Sequence, residues 1–215
     1  MQPKDRVVSG HTKLATRALM VDAELTTDEW LAIVASGLKN VRGGANELLL
    51  QSAELNSLAG TRTALDDGAT NCNGAFQRAA RLGSIDTVKF LAPRCTASVN
   101  SAFRFAALGG HADVMGVLIN CGADAFTDAL EWAAGGGSVD AMALAIKCGA
   151  SCSKSRALLL AAENGHIAAM DFAIKHGSRD LDEALGAARY HSAAEKFLID
   201  HGATRPADNS DAKGS

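Results

Sequence analysis

Apolar residues recur along this chain in short helical bursts, each cut off by glycine, and the bursts repeat. From Ser101, "SAFRFAALGG" sets Ala102, Phe103, Ala106 and Ala107 at helical spacing, so that they share one face. Gly110 breaks the period. "HADVMGVLIN" resumes it with Val114, Val117 and Leu118 on one side, and Gly122 follows where a left-handed residue closes a helix. The pattern predicts helix, tight turn, helix, loop. The same order returns further on, where "AAGGGSVDAMALAIKCGAS" echoes "AALGGHADVMGVLINCGAD".

Two landmarks measure the period. The first residues of the small pair ahead of the turn are Ser52, Ala79, Ala106, Ala133, Ala161 and Ala188, at steps of 27, 27, 27, 28 and 27. A second marker follows 16 residues later at Gly68, Cys95, Gly122, Gly149 and Gly177, and Gly202 closes a shortened last copy. Asn73, Ser101, Asp128, Ser155 and Asp182 are the polar residues that open the first helices, as N-caps. None of these helices exceeds the about 12 to 15 residues below which an isolated helix is marginal in water. The copies must therefore stack to bury their apolar faces.

Upstream, "HTKLATRALMVDAELTTDEWLAIVASGLK" reads as a divergent first copy, with Thr26 and Glu29 forming a capping box for a helix that carries Trp30, Leu31 and Val34. The sequence thus predicts a flexible segment over 1–11, a single repeat domain over 12–204 and a disordered polar tail over 205–215. Within the domain, 12–44 is the divergent copy and 45–204 the regular array. The predicted fold class is all-α, a solenoid of about six stacked helix–turn–helix repeats with short loops, whose end copies are atypical because each must cap the stack.

Composition sharpens this picture. Alanine supplies 42 of the 215 residues, against 3 prolines, and side chains that small suit helices whose backbones approach closely. Apolar residues make up 47% and charged residues 21%, the balance of a folded chain. The net charge is -3 with no long run of one sign, which argues against nucleic acid as a partner. Arg78, Arg81, Arg94 and Arg104 fall in adjacent copies, but Glu131 and Glu163 interrupt any basic stripe. No apolar stretch approaches the about 20 residues of a membrane span, and "MQPKDRVVSGHTK" has no apolar region of a signal peptide. Five cysteines without a secretion signal read as reduced thiols in a cytoplasmic protein.

The repeats resemble those of the ankyrin family. "AAENGHIAAMDFAIKHGS" and "AALGGHADVMGVLINCGAD" are similar to its AA-x-x-GH-x-x-x-V-x-x-L-L-x-x-GAD signature, and the likeness covers roughly residues 46 to 204. In that resemblance the paired alanines let helices approach, glycine permits the turn, and the following His or Ser caps the second helix. Two departures stand out. The family's TPLH opening is replaced by "SAFR", "DALE", "RALL" and "EALG", and the period is about 27 rather than about 33. The missing residues fall where the family carries its β-hairpin finger, so short loops without the finger are expected.

Motifs that suggest chemistry dissolve in the repeat register. "GGGS" at Gly135 to Ser138 has no lysine sequel of a phosphate loop and no preceding strand; it occupies the turn held elsewhere by "LGGH" and "ENGH". Cys121, Cys148, His176 and His201 all precede a closing glycine and so form a line along the array. Helices stack about 8 to 10 Å apart, whereas zinc needs every ligand within about 2.3 Å, so four such residues do not converge. The same spacing argues against disulfides between repeats, and a bridge between Cys148 and Cys152 is not expected in a reducing compartment. His111 and His166 follow turn glycines with no nucleophile or carboxylate recurring beside them. They are expected to bond across the turn and to the adjacent copy.

What remains is a surface. The resemblance implies a protein partner lying against the first helices and the loops leading into them. The residues it assigns to protein binding are Asn73, Arg81, Asn100, Arg104, Leu108, Trp132, Glu163 and Tyr190. Trp132 reads foremost as a core residue, because tryptophan is mostly buried, and secondarily as an interface anchor. The expectation is a monomer that meets an unidentified protein partner as adaptor, scaffold or stoichiometric inhibitor. It performs no catalysis, needs no cofactor or metal, and binds neither nucleic acid nor membrane. The alternative is an enzyme or small-molecule binder built in the concave groove.

Overall fold

The structure is a computed structural model that describes residues 26, 28, 29, 32, 35, 44–152 and 156–204. Outside those residues lie the expected flexible segment, most of the divergent copy with Trp30, Leu31 and Val34, the proposed N-cap Ser155, and the tail. The chain forms two compact units, Met1–Asn71 and Cys72–Ser215. Every described element is helical and no strand occurs among the described residues.

In the first unit, helices α1 (Gly44–Glu54) and α2 (Leu58–Asp66) form an antiparallel pair. Leu48, Leu49, Ala53 and Ala64 are buried in it. Ser57 caps α2 by accepting the Gly60 N–H at 3.1 Å, and its hydroxyl also donates to the Asp28 carboxylate. The capping box upstream is present: Glu29 Oε2 accepts from the Thr26 N–H at 2.8 Å, and Thr26 Oγ1 accepts from the Glu29 N–H at 3.3 Å. Those bonds hold the Glu29 carboxyl below its ordinary range.

Among the described residues the second unit carries five pairs: α3 (Cys72–Leu82) with α4 (Ile85–Leu91), α5 (Val99–Gly109) with α6 (Ala112–Asn120), and α7 (Phe126–Gly135) with α8 (Val139–Lys147). Then come α9 (Ala157–Glu163) with α10 (Ile167–Lys175), and α11 (Leu181–Ala187) with α12 (Ser192–Asp200). Each first helix lies against the next first helix, α3 on α5, α5 on α7, α7 on α9 and α9 on α11, while the second helices touch one another more lightly.

The close stacking follows from the alanine pairs. Ala79, Ala80, Ala106, Ala107, Ala133, Ala134, Ala161 and Ala162 are all fully buried, so nothing larger than a methyl separates the helices there. Phe76, Phe103, Leu130 and Leu158 fill the space three residues earlier in each first helix, and Met115, Met142 and Met170 do the same on the second. Each such side chain contributes roughly 1.5 to 3 kcal/mol by leaving water. In the last copy Glu195 takes the methionine place, half-buried.

The turns fix the register between copies. Gly110 is left-handed at φ 78° and ends α5 by donating its N–H to Ala106 and Ala107. Such a φ strains any residue with a Cβ. At Gly83 there is also no room, since a Cβ would come 2.6 Å from the ring of His111 in the next copy. His166 lies in the same way on Gly137, and His191 on Gly165. His191 Nε2 also meets the Glu163 carbonyl at 3.0 Å. His111 and His166 therefore reach the adjacent copy by packing where a bond was expected, and their expected capping role is absent: neither makes a side-chain cap bond. Ser138 does, accepting the Ala141 N–H at 3.3 Å.

The helix starts also depart from expectation. α3, α5, α7 and α11 begin one or two residues before the expected caps, which places Asn73, Ser101, Asp128 and Asp182 inside the first turn instead of at the N-cap. Where Cys95 replaces the closing glycine its φ is −122°, and two 3-10 turns, Ala92–Arg94 with Pro93 and Thr96–Ser98, replace the left-handed ending.

All five cysteines are free thiols. Cys95 is buried, and burial, with Cys72 nearby, raises its pKa from 9.0 to about 11 against the opposing charge of Arg94. Such a thiol holds about a hundredfold less thiolate at neutral pH. Timed alkylation of the folded protein read by mass spectrometry should label exposed Cys121 first and leave Cys95 and buried Cys152 until the chain is unfolded. Equal labelling of Cys95 and Cys121 in the folded protein would contradict this packing.

Candidate protein-binding face

The first helices of the second unit bury one side and present the other. Along α5, Asn100, Arg104 and Leu108 stand four residues apart and so lie on one stripe. Asn73 and Arg81 occupy the same places on α3 and are both exposed. Glu163, exposed, ends α9. Tyr190, 80% exposed, follows α11 with the Arg189 guanidinium 5.0 Å from its ring centre.

Some of these residues already have work inside the stack. The Asn100 carboxamide oxygen accepts the N–H groups of Asp124 at 3.0 Å and Ala125 at 3.3 Å, and its nitrogen donates to the Asp124 carboxylate at 2.8 Å. It thus ties the loop that leads into the next first helix. Asn46 does the same in the first unit, toward Thr70 and Asn71. Glu131 accepts the Arg156 N–H at 2.9 Å. Arg104, half-buried, pairs with Asp128 at 2.9 Å, from α5 to α7. An ion pair this exposed contributes at most about 1 kcal/mol. Arg94 lies over the Phe90 ring at 4.5 Å, so the four arginines do not form one free stripe.

Trp132 corrects the core expectation. It is 36% exposed, and its ring meets Phe105 edge-on with centroids 5.4 Å apart. The two aromatics occupy the same repeat position on adjacent first helices, on the outer side of the alanine pairs, where no helix covers them fully. Leu108 and Leu160 are half-buried beside them. Phe105 was not among the expected binding residues, although its place 27 residues before Trp132 was the signal that would have found it.

The line of Cys121, Cys148, His176 and His201 consists of helix-ending residues. His176 Nδ1 bonds the Phe172 carbonyl at 2.9 Å and His201 Nδ1 bonds the Phe197 carbonyl at 2.7 Å, with each ring against its phenylalanine. These bonds satisfy carbonyls that a helix end leaves open. No group of three or more ligating side chains able to hold a metal occurs among the described residues. "GGGS" is the turn between α7 and α8, and the Ser138 hydroxyl itself fills the helix N-terminus where an anion would sit.

No family model matches the sequence, and no curated protein matches it. Its fold does have solved counterparts. The crystal structure of the human ASB11 ankyrin repeat domain is similar at a TM-score of 0.57 and 19% identity, covering 73% of this chain and 84% of that one. The fold is an all-helical solenoid of the ankyrin-repeat kind. This chain is a short-period form of it, in which loops such as residues 121–125 take the place of the finger. No described helix is long and apolar enough to cross a membrane.

Proposed function

We propose that the protein is an interaction module that binds a partner protein through the first-helix face of the second unit. The observation that carries this reading is the Phe105–Trp132 pair with Leu108 beside it: large apolar side chains kept partly in water on a face the stack does not need. Arg81, Glu163 and Tyr190 stand exposed along the same face. The tight stacking of first helices against loosely packed second helices favours curvature toward that face. Aromatic anchors ringed by polar residues are the usual energetic centre of a protein interface. Binding by shape and charge fits a face on which Asn100, Arg104 and Glu131 are engaged inside the stack while Arg81 and Glu163 stand exposed.

Affinity capture from native extract tests the reading. The folded parent should retain a specific protein that an Arg81→Glu, Leu108→Asp double variant loses, since both residues project from the face and neither is fully buried. Capture of the same protein by both forms would remove the face from the interface.

A further inference from the structure

We infer that the segment taken by this face is extended and mixed in charge: an acidic residue at one end, a large apolar side chain in the middle and a basic residue at the other. The inference rests on the binding role proposed above and adds the chemistry of the occupant.

One residue from each of four consecutive copies makes a row across the ends of the first helices, Arg81, Leu108, Gly135 and Glu163, with Tyr190 of the fifth copy next after Glu163. The row is continuous. A Cβ on Gly109 would fall against the Arg81 carbonyl and one on Gly136 against that of Leu108, so the turns touch backbone to backbone. The charges at its two ends are opposite, and both end residues are exposed. The charges between them are engaged inside the stack, Arg104 with Asp128 and Glu131 with the Arg156 N–H.

The middle of the row is apolar. Leu108 is half-buried, and Trp132, one turn before Gly135, leans edge-on against Phe105. Gly135 puts no side chain into this space, where the nearest atoms to a Cβ would be Leu160 Cβ at 3.9 Å and Asn164 Nδ2 at 4.0 Å. From Arg81 to Glu163 is three steps of about 8 to 10 Å, the reach of about eight residues of extended chain. A segment of that length sets its carboxylate on Arg81, its apolar side chain against Leu108 and Trp132, and its cation on Glu163. A segment carrying one sign at both ends would face a like charge at one of them.

Dye-labelled nine-residue peptides read by fluorescence anisotropy test this. Four are needed: acidic–Phe–basic, acidic at both ends, basic at both ends, and the mixed peptide with Phe replaced by Ser. The parent should prefer the mixed peptide about tenfold at low ionic strength, and salt should narrow the gap. Glu163→Arg should move the preference to the doubly acidic peptide, and Arg81→Glu to the doubly basic one. Both variants change exposed residues, and circular dichroism melts verify their folding. An unchanged ranking across the three proteins overturns the inference, as does equal binding of the Ser and Phe peptides. Absence of any binding to the parent at about 1 mM also overturns it, while the capture experiment separately judges the face itself.

Discussion

Replacing Phe103 with alanine is expected to lower the unfolding free energy by about 3 to 5 kcal/mol. The side chain is fully buried between α5 and its neighbours, and its ring meets Phe126 edge-on with centroids 5.9 Å apart. Truncation removes its transfer free energy and leaves a cavity. Edge-to-face contact adds about 0.5 to 1.5 kcal/mol beyond burial. Urea titration should show a lower midpoint with an unchanged slope. Phe105→Ala, two residues along the same helix but half-exposed, should cost distinctly less. Equal losses at the two positions would mean that α5 does not present these faces as described.

That contrast shows what the sequence discloses and what it conceals. Phe103 was legible because helical periodicity depends on neighbours three and four residues away, and the alanine pair beside it recurs at each copy. The left-handed closing glycines were legible for the same reason: a single residue type meets a single backbone need. The N-caps misled because a short polar side chain at a helix start has two uses. Asp182 has the chemistry of a cap, yet its carboxylate accepts the Thr204 N–H, 22 residues further on. Local rules cannot see a partner that only stacking brings near. Trp132 misled for a related reason, because its preference for burial gave way to a position outside the alanine pairs, where the neighbouring helix offers one ring edge and no roof. The histidines after the turn glycines were expected to reach the adjacent copy, and they do so by packing on its turn glycine while leaving their own helix uncapped. Their packing on the preceding copy is a property of two repeats together.

Two adjacent glycines turn the contact between repeats into a question of sign. Gly136→Ala is expected to destabilise the protein by about 1 to 3 kcal/mol or more. Its φ of −87° is ordinary for any residue, so backbone strain is not the cause. The added Cβ would lie 2.1 Å from the carbonyl oxygen and 3.2 Å from the Cα of Leu108, and neither is the movable end of a side chain. The two copies must separate to admit it. Gly135→Ala makes the same chemical change one residue earlier, at the end of α7, where the nearest atoms lie 3.9 and 4.0 Å away. There alanine gains helix propensity and removes freedom from the unfolded chain, so the variant should be unchanged or more stable by up to about 1 kcal/mol. Thermal and urea unfolding of the pair decide the matter. Opposite signs at consecutive positions require the backbone of one repeat to rest on the turn of the next. Two variants displaced together in either direction would mean that the turns do not meet in this register, and the continuous row from Arg81 to Glu163 would lose its physical basis.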